Sequence, residues 1–193
     1  MRSQDAEDTE ILWRESHNTY QPLERPLADF LATVQLTSSL STVRPADDSP
    51  LLIFIEENCL KVIHEHANCD IRREQAGILC GQAYRDSGQF YLDIRLAIPV
   101  DTINSSTHFQ FHERSWEPVW KQSEANSIIV GWYHTHPGHG IFLSRTDLRT
   151  QESYFAAPWQ IAVVIDPISR QLGVFTGKGE LLSDNFHSRA CSH

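Results

Sequence analysis

The chain has 193 residues, 40% hydrophobic and 21% charged, which suits one globular domain with room for an extension. With Lys+Arg at 16 against Asp+Glu at 25, the formal charge is −9. That balance argues against wrapping nucleic acid, which needs a basic face, and against a polybasic membrane-surface binder. No apolar run is long enough to span a bilayer, and no signal-peptide core follows the acidic N-terminus. The expectation is a cytoplasmic protein that binds neither nucleic acid nor membrane. Cys59, Cys69, Cys80 and Cys191 form no C-x-x-C pair and read as free thiols, with Cys80 buried.

Residues 1–48 differ from the rest. They carry an acidic start, proline punctuation (Pro22, Pro26, Pro45), a Ser/Thr-rich stretch over Thr37–Thr42 and one amphipathic helical segment, Leu27–Val34. They read as an extension that docks on the main domain or on a partner, or else stays a poorly ordered tail. Residues 49–193 read as the compact domain. Leu51–Ile55 is expected as a buried strand, Glu56–Ala67 as a helix with Leu60, Ile63 and Ala67 on one face, and Ala76–Tyr84 and Phe90–Ile98 as strands. Pro99–Thr107 reads as a polar loop, His108–Phe111 as a short strand and Glu113–Glu124 as a helix. Ser127–His134 is a strand closed by Pro137-Gly138, and Arg145–Phe155 is a helix. Gln160–Asp166 and Leu172–Thr176 are strands joined across Pro167–Arg170. Strands alternating with helices make an α/β or α+β fold.

The informative segment runs from Gly131 to Asp147. His134 and His136 stand two apart at a strand end, where side chains at i and i+2 share a face and two imidazoles can converge on one ion. Asp147, in the first turn of the next helix, adds an oxygen. Two His and one Asp leave a fourth position open on tetrahedral zinc, the arrangement of a catalytic site. Such a site needs a proton carrier that is not a ligand, and Glu74, just before the glycine-bearing strand Gly77–Gly81, is the candidate.

Each residue has a plainer reading. An isolated His-x-His is most often a pair of satisfied core or edge histidines. Ser144 and Asp147 also fit a helix capping box, which Ser144 can combine with another role more easily than Asp147. Glu74 alone would be a surface charge. His64-Glu65-His66 lies on a helix, where i and i+2 diverge, and reads as a solvated helix end. His139 either lines the cleft rim or is simply exposed. His108, His112, His187 and His193 carry no pattern.

The pattern His134-x-His136, seven residues, Ser144, two residues, Asp147 resembles the signature of the JAMM/MPN+ (Mov34/MPN/PAD-1) zinc metalloproteases. Glu74–Gly81 is similar to that family's upstream glutamate segment. Val130–Gly138 and Val164–Pro167 look like its deubiquitinase branch. The resemblance covers roughly residues 51–177. It implies an MPN-type, cytidine-deaminase-like mixed β-sheet flanked by helices, with a Zn2+ site at a strand end and helix N-terminus. His134, His136 and Asp147 would hold the zinc, Glu74 would move a proton from the attacking water to the leaving amine, and Ser144 would hydrogen-bond the oxyanion. The implied reaction is peptide or isopeptide hydrolysis after the C-terminal glycine of a ubiquitin-like protein, free or in conjugates, alongside proteins of its conjugation system. The modifier's tail would add as a strand beside Pro99–Phe111, with Asn104, Ser105, Ser106, Thr107 and His139 as candidate substrate contacts. The short turn after Asp166-Pro167 leaves no room for a second insertion and favours a compact stand-alone enzyme. The alternatives are a same-fold peptidase for small peptides or a sulfur-carrier precursor, and a partner-binding MPN scaffold of low activity.

Overall fold

The computed structural model describes residues 20–37, 51–105, 108–111, 117, 119, 121, 127–182 and 186–191. In chain order the elements are β1 (Leu23–Glu24), α1 (Leu27–Leu31), β2 (Leu51–Glu56), α2 (Glu57–Cys69), β3 (Ala76–Asp86), β4 (Gln89–Val100), β5 (Thr102–Ser105), β6 (His108–Phe111), β7 (Ile128–Thr135), α3 (Arg145–Tyr154), β8 (Ile161–Asp166), β9 (Gln171–Phe175), β10 (Leu181–Leu182) and β11 (Phe186–Arg189). The main sheet runs β10-β9-β8-β7-β3-β4-β2-β11, and β1 pairs in parallel with β3 at Tyr84 and Arg85. It is mixed: β7/β8, β4/β2 and β2/β11 are parallel, and the other pairs on that path are antiparallel. A parallel pair needs a crossover, and α3 supplies it between β7 and β8.

Period-2 alternation sorts the core into two faces. Ile53, Ile55, Leu79, Leu92, Tyr133, Val163 and Ile165 pack with Cys59, Ile63 and Ala67 of α2. On the other face Ile78, Trp132, Ala162 and Val164 pack with Phe155 at the end of α3. Phe30 of α1 joins Leu52, Phe54, Tyr84 and Tyr91 in a third cluster. The segment carrying α1 is therefore seated on the sheet. Arg25 donates its backbone N–H to Arg85 (3.1 Å), and the Leu27 N–H donates to Asp86 Oδ2 (2.9 Å). The helix is shorter than Leu27–Val34, ending at Leu31 with Ala32 as its C-cap.

Two other elements depart from the sequence expectations, and a third is described only in part. The described part of Pro99–Thr107 is mostly strand: Pro99 and Val100 finish β4, and Thr102–Ser105 pairs antiparallel with β6, Ser105 opposite His108. Its β-branched Thr102 and Ile103 favour the extended chain. Of Glu113–Glu124, only 117, 119 and 121 are described, and these are helical; the rest lies outside the described residues. The strand β11 was not anticipated, because its inward residues are His187 and Arg189. Arg189, 1% exposed, has Asp93 at 2.7 Å and Glu56 at 2.8 Å, and Arg95 lies 2.8 Å from the other Asp93 oxygen, so a paired cluster compensates the buried charge.

No disulfide forms among the four cysteines. Cys59 and Cys80 are buried and Cys69 and Cys191 exposed, and burial pushes the Cys80 thiol up to about 12. No helix among the described residues is long and apolar enough to cross a membrane.

Candidate metal centre

Strand alternation along β7 sends Tyr133 toward α2, and Trp132 and His134 toward the face that holds α3. His136 follows the strand and continues its ladder, its N–H donating to the Ile165 carbonyl at 2.8 Å. The two imidazoles meet with Nε2 atoms 3.1 Å apart, His134 1% and His136 3% exposed. The ring of Trp132 stacks beneath His134, centroids 4.5 Å apart and planes 12° from parallel. Phe142 packs on His136 with centroids at 4.6 Å.

The chain then turns through Gly138 and Gly140, both at positive φ (76° and 81°), a region that favours glycine. The buried Asp166 carboxylate at the end of β8 fixes this turn. It accepts from the backbone N–H groups of Gly138 (2.9 Å) and Gly140 (3.1 Å), and on its own side from Ile168 (2.9 Å) and Ser169 (3.3 Å). The Gly138 amide foremost, then those of Ile168 and Ser169, hold the carboxyl well below the usual range against the opposing effect of desolvation.

Helix α3 opens with a capping box. Ser144 Oγ accepts from the Asp147 N–H at 3.2 Å, and Asp147 Oδ2 accepts from the Ser144 N–H at 2.7 Å. The same Oδ2 faces both imidazoles, 3.4 Å from His134 Nε2 and 3.6 Å from His136 Nε2. Capping and convergence thus coexist at Asp147, because one carboxylate oxygen offers two lone pairs and the helix N-terminus favours the anion. Burial opposes ionisation of Asp147, but the imidazoles and Ser144 outweigh it and hold the carboxyl low. Burial likewise opposes protonation of His136. The Asp147 carboxylate, the Glu74 charge and the Gly140 backbone outweigh it and raise the imidazole.

Glu74 is exposed and precedes β3. Register places Ala76 opposite His134, and the Thr135 N–H to Gln75 O and Gln75 N–H to Thr135 Oγ1 bonds, both 2.9 Å, carry the pairing one residue further. Glu74 is therefore brought level with His136, where its charge acts. Gly77 makes this approach possible, since a Cβ there would overlap the Tyr133 ring. His139 is exposed on the turn, its N–H donating to His136 O at 3.1 Å. Asn104 and Ser105 lie in β5, opposite Phe109 and His108, while Ser106 and Thr107 lie outside the described residues. His66, read as part of a solvated helix end, is half-buried with Nδ1 2.8 Å from the Tyr133 hydroxyl, because its helix turn faces the sheet.

Sequence reasoning missed Asp166, Trp132 and Gln151. Gln151 is fully buried on α3, one turn after Asp147, and accepts from Trp132 Nε1–H at 2.7 Å. Its signal is the i, i+4 spacing from Asp147.

His134, His136 and Asp147 are the described residues grouped so that they could hold a metal ion. Their donor atoms form a triangle with edges of 3.1, 3.4 and 3.6 Å. Ligands ~2.0–2.1 Å from a tetrahedral zinc stand about 3.3 Å apart, so the triangle fits one face of that polyhedron and leaves its fourth corner open.

An open three-ligand centre at the junction of a strand end and a helix N-terminus, within a mixed sheet flanked by helices, defines a class of candidate metallohydrolase. The chain belongs to the JAB1/Mov34/MPN/PAD-1 ubiquitin protease family, whose profile matches residues 48–157. It is 27% identical over 154 residues to the 26S proteasome non-ATPase regulatory subunit 14 of Dictyostelium discoideum, covering 78% of this chain and 50% of that one. It is 28% identical over 143 residues to the ubiquitin carboxyl-terminal hydrolase RPN11 of Saccharomyces cerevisiae, covering 72% and 44%. The chain thus spans about half the length of these curated relatives. The solution structure of a Desulfitobacterium hafniense protein shares the fold, with a TM-score of 0.56 at 19% identity over 72% of this chain and 94% of that one.

Proposed function

We propose that the protein is a zinc-dependent peptidase or isopeptidase of the cytoplasm that cleaves after the C-terminal glycine of a ubiquitin-like modifier, in deconjugation or precursor processing. The observation that carries the reading is the convergence of His134, His136 and Asp147 into a face sized for tetrahedral zinc, inside a segment matched to a ubiquitin protease family. The names of its relatives, a ubiquitin carboxyl-terminal hydrolase among them, support the substrate class.

Zinc bound there supplies a Lewis acid that acidifies water and polarises the scissile carbonyl. Glu74 accepts a proton of the attacking water as the C–O bond forms, then returns it to the amine nitrogen as the C–N bond breaks, which regenerates the base. Ser144 Oγ accepts the Asp147 N–H in capping α3, and its hydroxyl, which helps hold the Asp147 carboxyl low, would turn to donate to the carbonyl oxygen as negative charge develops there. The hairpin β5–β6, with Asn104 and Ser105 on one strand, offers the ladder to which an extended modifier tail would add. The β8–β9 turn is tight, with Asp166 opposite Gln171. That supports a compact enzyme without a second substrate platform.

The test is cleavage of a panel of ubiquitin-like fusions and lysine isopeptides by the zinc-loaded chain beside Glu74→Gln. Cleavage after the terminal glycine by the wild type, lost in a variant that still holds zinc, is expected. Absence of cleavage by a zinc-loaded wild type across the panel, including sulfur-carrier fusions, would leave the scaffold reading standing instead.

A further inference from the structure

Behind the candidate ligands, a buried hydrogen bond joins β7 to α3. Trp132 and His134 stand two apart on β7 and face α3, while Asp147 and Gln151 stand four apart on α3 and face β7. Trp132 Nε1–H donates to Gln151 Oε1 at 2.7 Å. Gln151 Nε2 donates to the carbonyls of Phe155 (2.8 Å) and Gln160 (3.3 Å), tying the end of α3 to the start of β8. Gln160 Nε2 in turn donates to Ile129 O at 3.0 Å, back on β7. Trp132 and Gln151 are both fully buried, so neither can exchange this bond for water. The indole lies between two near-parallel rings, His134 at 4.5 Å and Phe155 at 5.8 Å.

We propose that Gln151 and Trp132 are positioning residues for the metal centre. Gln151 fixes the plane of the indole on which His134 rests and, through its own helix, the place of Asp147 relative to that imidazole. A turn of the indole about its χ angles would carry His134 away from its 3.1 Å approach to His136. A slide of α3 by a fraction of a turn would move Asp147 from both nitrogens together. One amide side chain therefore couples the strand ligand to the helix ligand. The inference rests on the metal reading given above.

The test uses the full chain loaded with Co2+ as a spectroscopic probe and with Zn2+ in competition with a chelator, for the wild type, Trp132→Phe, Gln151→Leu and the double variant. Thermal unfolding is measured in parallel. Trp132→Phe keeps a ring under His134 while removing the donor and part of the indole volume, a smaller change than truncation to alanine. Each single variant is expected to lose roughly tenfold or more in zinc affinity, as groups that orient ligands commonly do, and to shift the Co2+ visible band. Adding Trp132→Phe relieves the indole N–H that Gln151→Leu leaves unsatisfied, so the double variant loses less thermal stability than the two single losses summed, without regaining affinity or band. Wild-type spectra and affinities in both single variants would overturn the proposal. So would affinity that returns in step with melting temperature, which marks a purely structural role. Co2+ binding unchanged by His134→Ala would instead sink the metal reading, and the inference with it.

Discussion

Replacing Phe30 by alanine tests whether the segment before residue 48 is part of the folded domain. Phe30 is 1% exposed, with its ring 4.9 Å from Phe54, 5.3 Å from Tyr91 and 6.0 Å from Tyr84, centroid to centroid. The Arg25 guanidinium stands 5.3 Å from its face. Helix α1 has five residues, far too few to hold a helix unaided, so its order depends on this side chain. Truncating a buried Phe costs about 3–5 kcal/mol in lost transfer and cavity energy. At ~2–4 °C per kcal/mol for a domain of this size, Tm should fall by roughly 6–20 °C. The metal centre should be indifferent. The pairing of Ala76 with His134 marks the site end of β3, and Tyr84, against Phe30, is about 26 Å further along at ~3.3 Å per residue. Thermal unfolding by circular dichroism with zinc titration in parallel reads both quantities. A Tm change within about 2 °C would show that α1 is not seated, and a loss of zinc affinity matching the loss of stability would refute the independence of the two ends.

Asp166→Asn should lower stability at neutral pH and flatten its acid dependence. The folded carboxyl lies below its unfolded value, so its contribution is complete above about pH 4 and fades as pH falls through the folded value; melting curves that stay parallel for wild type and variant down to about pH 2 would refute this. Chelating the metal should lower Tm by roughly 5–11 °C, the equivalent of about 2.7 kcal/mol at a hundredfold excess over Kd, because the ligands sit on a preformed framework; complete unfolding on chelation would contradict it. Ser144→Ala should cost about 1 kcal/mol for the lost cap and a further ~10²–10³-fold in kcat for the lost oxyanion donor, both recovered by Ser144→Thr. A variant with wild-type kcat and lowered Tm would confine Ser144 to capping.

What could be read from the chain depended on whether a residue's partner lay near it in sequence. Strands β7 and β8 announce themselves by apolar and β-branched runs, and the placing of His134 and His136 on one face follows from strand period alone. The Ser144–Asp147 capping box is visible as a four-residue pattern. Asp166 was legible only as the start of a turn, because half of its bonds go to Gly138 and Gly140, far back in the chain. Strand β11 hid because Arg189 reads as a surface residue until Asp93, 96 positions earlier, is seen beside it. The short α1 was legible as amphipathic, but the aromatic pocket that receives Phe30 is assembled from β2, β3 and β4 and has no local signature. His66 misled for the related reason that its partner, Tyr133, belongs to a distant strand.

The economy of the centre lies in Asp147. As the third residue of α3 it accepts the Ser144 N–H that every helix start leaves over, and with the same oxygen it faces two imidazoles from another element. Shifting α3 by one residue in sequence would break the cap and misplace the oxygen together, so the frame that starts the helix also sets the distance from carboxylate to histidines. The cap fixes rotation about the helix axis, Gln151 fixes the helix against β7, and Asp166 holds the glycine turn between them. Each of these contacts is made by protein groups alone, so the three donors are placed by the fold of β7, the glycine turn and α3. A metal ion taken up by a face held in this way would meet a smaller ordering cost than at a flexible cluster.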